Sequence, residues 1–330
     1  MEWSIEKLRL NLKYTWKISR NSSAYKENFV VRCKLNGYVG MGEIAPNIRY
    51  NETAENIESY FESIHQELQN LNIDYTEVLN FLHTKNIPNA LKFGLSAAFT
   101  HAFCLNQNID LHKHLGITKP TEVASCYTLP IMDLADIKSF YQTHHLHRFK
   151  QIKIKVDNAA GLDLIKEVQS LGANQIMIDA NEAWKDVEEL IPFTESIQSL
   201  PVLFVEQPMP ASFIDEYKHL KKHSKLPIMA DESVLAEPNF DEIEQQFHGV
   251  NMKLMKAGSY QNGIRILQEA KRRNMICMIG CMIETTLGIK SAWDLCSLAD
   301  YVDLDGCLIV DNEPYHLLHE EGGTFYEVTK

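Results

Sequence analysis

The sequence predicts an α/β barrel preceded by a smaller α+β region. Three observations carry this prediction. Between Gln151 and Asp305, short apolar runs recur, and each closes on a charged or polar residue. Roughly 20 helix-compatible residues separate one run from the next. The closing residues Lys155, Asp179, Glu206, Asp231 and Lys253 follow one another at a steady interval. Strand and helix alternating in this way form a parallel sheet buried on both faces, which is why the runs look continuously apolar. Closed into a barrel of TIM type, as a (β/α)8 or a modified (β/α)7β, the strands bring their carboxyl ends to one rim, where the active site of such a barrel lies.

The region ahead of the barrel has a different rhythm. Residues 29–35 alternate in part, Asn36-Gly37 follows, and apolar sequence resumes at Tyr38. Asn-Gly between apolar stretches is a strong hairpin signal, and residues 8–16 offer a third strand. Residues 53–71 place Ile57, Phe61, Ile64 and Leu68 at helical spacing, and residues 89–105 form a second, more apolar helix. Strands followed by helices predict an α+β domain over 1–118, capping the barrel. Pro120 and its neighbours at 117–121 mark the junction. The barrel then occupies 119–305, with strands near 123–128, 151–156, 175–179, 202–206, 227–231, 249–253, 276–280 and 301–305. Helices are expected over 161–171, 187–197, 213–222, 239–247 and 263–274. The tail, 306–330, should return to the cap, with 324–328 as a strand against the N-terminal sheet.

Composition narrows the function. The formal net charge is −12 and no block of Lys or Arg stands out, which argues against nucleic acid or an anionic membrane as partner. The seven cysteines are scattered, odd in number and without a CxxC pair, as expected of buried free thiols in a reducing compartment. The first residues lack a signal-peptide pattern, and no apolar run reaches the roughly 18 residues of a membrane helix. A cytoplasmic protein is expected.

The chemistry lies at the strand ends. Asp179, Glu206 and Asp231 end three consecutive strands, and adjacent strands lie about 4.8 Å apart. Three converging carboxylates repel one another; a divalent cation resolves that conflict. All-oxygen ligation points to Mg²⁺, or Mn²⁺, one per subunit. Lysines flank the acids: Lys153 and Lys155 on one side, Lys253 and Lys256 on the other. Alternation places Lys153 and Lys155 on one face, and strands two and six stand on opposite sides of the mouth. A second cation beside Lys155 would lower its pKa toward that of a usable base. Such a site suits a carboxylate substrate whose α-proton one lysine removes, leaving an enediolate that the opposite lysine can reprotonate.

Lys153-Ile-Lys155, Asp179-Ala-Asn181, Glu206-Gln-Pro208, Asp231-Glu-Ser233 and Asn251-Met-Lys253 resemble the motif series of the enolase superfamily, muconate-lactonizing subgroup. Gly40-Met-Gly-Glu43-Ile-Ala-Pro46 is similar to a stretch of that family's capping domain. The resemblance implies that Asp179, Glu206 and Asp231 hold Mg²⁺, that Lys155 and Lys253 are the acid/base pair, and that Lys153 tunes Lys155. Asp303-Leu-Asp305 resembles the Asp-x-Asp of the family's dipeptide epimerases, which implies a grip on a substrate ammonium. The segment 280–289 resembles theirs too, implying that backbone around Cys281 and Ile283 holds the peptide. Cys281 stands where a small residue such as Ser is usual. Arg20 lies in the loop that closes over the substrate in this family; it either pairs with an acidic side chain, as in the Ala-Glu epimerases, or is an exposed loop residue beside a pocket for apolar side chains. The implied partner is a dipeptide, and the implied assembly a homo-oligomer. An o-succinylbenzoate synthase or muconate cycloisomerase of the same superfamily, a Schiff-base aldolase and a non-catalytic binding protein are the alternatives; the first two have substrates without an ammonium.

Overall fold

The computed structural model describes residues 1–18, 21–157 and 161–328. The chain begins with a three-stranded antiparallel sheet of β1 (Glu2–Ile18), β2 (Asn21–Leu35) and β3 (Tyr38–Ile44). Asn36 and Gly37 turn the chain with φ of 50° and 89°, the left-handed pair that a two-residue hairpin demands and that Asn-Gly supplies. The helix Asn89–Gln107 is almost wholly buried and lies across β3. Gly40 and Gly42 permit this approach: a Cβ at either would collide with the helix backbone at Ala98 or Gly94. The helix Ala54–Asn70 buries Ile57, Phe61, Ile64 and Leu68, the predicted stripe. A further helix, Tyr75–Thr84, starts where Asp74 accepts a bond from Glu77 N at 2.7 Å.

Next comes β4 (Val123–Ala124), and then the eight barrel strands: β5 (Cys126–Leu129), β6 (Gln151–Lys155), β7 (Ile176–Asp179), β8 (Val202–Glu206), β9 (Ile228–Ala230), β10 (Gly249–Lys253), β11 (Ile276–Gly280) and β12 (Tyr301–Asp303). They are hydrogen-bonded in sequence order, every pair parallel. Side chains close the seam between β12 and β5. Leu304 N donates to Ser125 Oγ at 2.8 Å, and Thr128 N to Asp305 Oδ2 at 2.5 Å. Helices observed at Gly161–Ser170, Val187–Ile197, Ile214–His223, Phe240–Gln246 and Tyr260–Arg272 match the expected ones to within a few residues. Inside the strands, Cys126, Met177, Phe204, Met229 and Met278 pack together. All seven cysteines are free thiols, six of them buried.

Two expectations need correction. The first predicted strand, 123–128, is two strands broken at Ser125, and only β5 joins the barrel. The tail does not add a strand to the N-terminal sheet. Instead β13 (Leu318–Glu321) and β14 (Thr324–Glu327) form a small antiparallel sheet with β4. The buried side chains of Leu318 and Phe325 and the Arg148–Glu320 ion pair at 2.8 Å hold it against the barrel. Contact with β1 is made earlier, where Lys13 N donates to Ile309 O and Asp311 N to Asn11 O, both at 2.9 Å.

Candidate active site

Strand register sets the site. Lys155, Asp179 and Glu206 are Cα partners across β6, β7 and β8. Lys253, Gly280 and Asp303 are partners across β10, β11 and β12. Asp231 follows directly on β9. Six of the sequence-predicted residues therefore end their strands on one rim. All of these side chains are buried or nearly so, Glu206 completely.

The lysines and acids bond one another. Lys153 Nζ lies 3.0 Å from Asp179 Oδ2, 2.8 Å from Glu206 Oε2 and 2.9 Å from Asp303 Oδ2. Lys155 donates to Asp179 Oδ2 at 2.7 Å and to Asn181 Oδ1 at 2.8 Å. Lys253 donates to Asp231 Oδ2 at 2.8 Å, and Lys256 to Asp231 Oδ1 at 2.6 Å. Asn251 Nδ2 donates to Glu206 Oε1 at 2.8 Å, and the space that Asn251 fills exists because position 280 is glycine.

These contacts set the protonation states. Burial alone would lift Asp179 and Asp303, but Lys153 outweighs it and holds both below the usual carboxylate range. Burial pushes Glu206 up to about 7, with Asp179 and Asp231 adding to it. Asp305 also rises to about 7 through burial and the Asp303 charge. Lys153 and Lys253 are held charged against burial by their acids. Carboxylates 3 Å or less away outweigh burial at both Lys153 and Lys253.

A cavity of about 340 Å³ opens onto this rim. Its floor is Lys153, Lys155, Asp179, Asp231, Lys253, Asp303 and Asp305; its roof comes from β1, β2 and the 45–50 segment. Cys281 and Ile283 also line it. The Ile283 carbonyl already accepts from Asn28 Nδ2 at 2.9 Å. Asp305 is not on the strand; it opens a short 3-10 turn, Asp305–Cys307, because Leu304 leaves the extended conformation. Arg20 lies outside the described residues.

The chain has counterparts among known proteins. A family model, enolase C-terminal domain-like, matches residues 136–322, more than half of the chain. The L-Ala-D/L-amino acid epimerase of Flavobacterium johnsoniae is 32% identical over 313 residues, covering 94% of this chain and 92% of that protein. The chain belongs to the enolase superfamily. An L-Ala-D/L-amino acid epimerase of a Maribacter species is 29% identical, covering 95% and 92%. The substrate-liganded L-Ala-D/L-Glu epimerase of Bacillus subtilis shares the fold, with a TM-score of 0.91, 23% identity and coverage of 99% and 96%.

For an enolase-superfamily chain, a divalent cation at Asp179, Glu206 and Asp231 is the natural expectation. Among the described residues, no three His, Cys, Asp or Glu side chains are grouped closely enough, in their present rotamers, to hold one; lysine ammonium groups stand between the acids. The residues nonetheless fit such an ion. Asp179 Oδ2 and Glu206 Oε2 both come within 3.0 Å of a single point, Lys153 Nζ. Glu206 Oε2 is buried and already has a cation, the Lys153 ammonium, 2.8 Å away, so the position is one that favours positive charge. The donors are all hard oxygens, which suit Mg²⁺ or Mn²⁺.

Residues that orient the rim lysines and acids were less visible in the sequence. Asn181 holds Lys155, Asn251 holds Glu206, and Lys256 fixes Asp231 from behind. Arg49, from the cap, forms a two-pronged ion pair with Glu182 at 2.7 and 2.9 Å, tying cap to barrel at the rim. Asn181 and Asn251 stand inside the motifs themselves, and their polar side chains within apolar runs were the available signal. No helix is long and apolar enough to cross a membrane among the described residues.

Proposed function

We propose that this chain is a Mg²⁺-dependent dipeptide epimerase that inverts the Cα of the C-terminal residue of a dipeptide by 1,1-proton transfer. The observation that carries the reading is the placement of Lys155 and Lys253. They sit on β6 and β10, four strands apart in an eight-stranded barrel, so they face each other across the mouth with Asp179, Glu206 and Asp231 between them. A flat enediolate needs one proton donor or acceptor on each face, and this pair supplies both. The family's relatives named as epimerases support the reaction type.

Asp179, Glu206 and Asp231 would hold the ion, which when bound supplies positive charge to the substrate carboxylate and so acidifies the α-proton. Lys155 or Lys253, whichever is uncharged, removes that proton; the other, charged, returns one to the opposite face. Asn181 aims Lys155, and Asp231 aims Lys253. Asp303 and Asp305 receive the ammonium at the other end of the dipeptide, where Asp303 now holds Lys153. Burial excludes water from the carbanion.

The test is α-deuteration of an L-Ala-L-Xaa panel in D2O with added Mg²⁺, followed by mass spectrometry. Wild type should gain one deuterium and keep its skeleton mass; a dehydrated or lactonised product would favour the lyase and cycloisomerase alternatives. Lys155→Ala and Lys253→Ala should each lose turnover by about 10²–10⁴-fold, the usual contribution of a positioned base. Each should still exchange the α-proton of the one epimer that faces its remaining lysine. Unchanged turnover in both variants sinks the two-base mechanism.

A further inference from the structure

The Arg49–Glu182 ion pair joins the cap to a strained turn of the barrel rim. Asp179 ends β7, and the chain then reverses over residues 180–183, where Ala183 N donates to Ala180 O at 3.0 Å. The two central residues, Asn181 and Glu182, have φ of 43° and 65°. Two left-handed residues in succession make the mirror-image turn that Asn-Gly favours. Asn suits the first place. Glu stands in the second, where glycine is the unstrained choice and a Cβ costs conformational energy. A residue persists in such a place only where its surroundings over-determine it.

Those surroundings come from two sides. From the segment after β8, Ala211 N donates to Glu182 Oε1 at 2.9 Å, and Glu182 N donates to Gln207 O at 2.8 Å. From the cap, Arg49 Nε donates to Oε2 at 2.7 Å and Nη2 to Oε1 at 2.9 Å. A two-pronged pair of planar groups fixes direction as well as distance. Arg49 is itself placed by the short 3-10 turn Ile48–Tyr50, where its N donates to Asn47 Oδ1 at 3.0 Å. The Glu182 side chain is buried and that of Arg49 half-buried, so water screens the pair from one side only.

Glu182 is the chain neighbour of Asn181, whose Oδ1 accepts from Lys155 Nζ at 2.8 Å. Asn181 N also donates to Asp179 Oδ1 at 3.0 Å, and Asp179 Oδ2 accepts from Lys155 at 2.7 Å. The turn thus bears on both bonds that direct Lys155. Lys253, by contrast, is directed by Asp231, and Asp231 by Lys256, all within the barrel. We infer that Arg49 and Glu182 are positioning residues for Lys155: seating the cap segment on the rim locks the 180–183 turn, and the turn holds Asn181 where it directs that lysine. Closure of the cap and the aiming of one base are then a single event, while the opposite base is aimed by the barrel alone. This inference rests on the two-lysine epimerase reading of the same site.

The experiment follows loss of the α-proton into D2O by NMR, with Mg²⁺ and saturating dipeptide, for the fastest-exchanging member of the L-Ala-L-Xaa panel and separately for its L,D epimer. The epimer that Lys253→Ala still exchanges reports on Lys155, and the epimer that Lys155→Ala still exchanges reports on Lys253. Arg49→Met and Glu182→Gly should each slow the Lys155 epimer by about 10- to 100-fold, the cost of a misplaced catalytic group. The Lys253 epimer should stay within about 2-fold of wild type, as for sites that share no partner. Glycine relieves the turn, so the Glu182→Gly protein keeps its fold and its loss of rate is loss of aim. Arg49→Lys, which keeps the charge without the two-pronged geometry, should recover part of the Lys155 rate. The double variant should be no slower than the slower single one, because both changes break the same contact. Equal losses at both epimers, no loss at either, or losses that multiply in the double variant overturn the inference and leave the epimerase reading standing. A wild type that exchanges neither epimer overturns both.

Discussion

Replacing Lys153 with methionine removes the charge that binds the two halves of the rim and keeps most of the apolar stem. Lys153 Nζ sits 2.8–3.0 Å from oxygens of Asp179, Glu206 and Asp303, all of them buried. Removing one partner of a buried ion pair costs about 3–5 kcal/mol, because the remaining charge is left without compensation. Three carboxylates share this one ammonium, so the upper half of that range is expected near pH 7. In thermal unfolding followed by circular dichroism, this amounts to a fall in Tm of roughly 5–15 °C. The pH dependence has a definite sign. Lys153 holds Asp179 and Asp303 below their unfolded values, so the stability they contribute is present above about pH 4 and is lost as pH falls through their folded values. The gap between variant and wild type should therefore be widest near neutrality and begin to narrow only as pH falls below about 4. Mg²⁺ should raise the Tm of the variant more than that of wild type, since the same oxygens then lack a competing ammonium. A variant within about 2 °C of wild type at pH 7 in the presence of chelator would refute the account of Lys153 as the counterion of this rim.

Three further perturbations follow from the packing and electrostatics. Burial, and then the neighbouring Glu43 carboxylate, push Glu284 up to about 8, so its ionisation costs wild type roughly 1.4 kcal/mol per pH unit as pH rises from 5 to 8. Glu284→Gln should match wild type in urea stability at pH 5 and exceed it at pH 9; an equal difference at both pH values contradicts the assignment. Gly40→Ala places a methyl against the backbone of the helix Asn89–Gln107 and should lower stability by about 1–3 kcal/mol, read as a lower urea midpoint with an unchanged slope; a midpoint equal to that of wild type shows that β3 and the helix can separate freely. Asn251→Leu takes the donor from Glu206 Oε1 and should weaken Mn²⁺ binding by about 10- to 100-fold in calorimetry; unchanged affinity means that Asn251 does not orient Glu206.

Much of this was legible because a barrel writes its chemistry at intervals. Each apolar run had to end on the rim, and an ionisable residue there stands out against Val, Ile and Met. What failed to show depends on distant partners. Residues 123–128 read as one strand, yet Ser125 divides them: its N donates to Gly323 O and its hydroxyl accepts from Leu304 N, contacts made with the far end of the chain. The helix Thr286–Trp293 has a Thr-rich start and a glycine at 288, poor local signals. It is secured from the cap, where Glu43 accepts from Thr285 N at 3.0 Å and from Gly288 N at 3.0 Å. The helix Tyr75–Thr84 buries only Val78 and Leu82, too few for a visible stripe. At the site, spacing identified which residues meet but not how they pair. A sequence lists three acids and three lysines without saying that each ammonium already sits on a carboxylate.

That pairing bears on how a lysine here becomes a base. The side chains lining the cavity carry as many carboxylates as cations, so the pocket is close to neutral, and Lys253 is held charged by Asp231. A charged lysine cannot take a proton. A divalent ion and a dipeptide whose own charges cancel would add two positive charges to that balance. Asp231, which now holds Lys253 charged, and Asp179, which now bonds Lys155, would then have a stronger cation to satisfy, and the cheapest relief of the excess is loss of a proton from one lysine. Basicity in this site would thus be conditional on its ligands rather than built into the lysines. If so, modification of Lys155 or Lys253 by an amine-directed reagent at pH 7 should be slow in the free protein and faster once Mg²⁺ and a non-exchanging dipeptide analogue are present, provided access is matched by a neutral reagent of small size. Equal or slower modification in the liganded protein would place the source of basicity elsewhere.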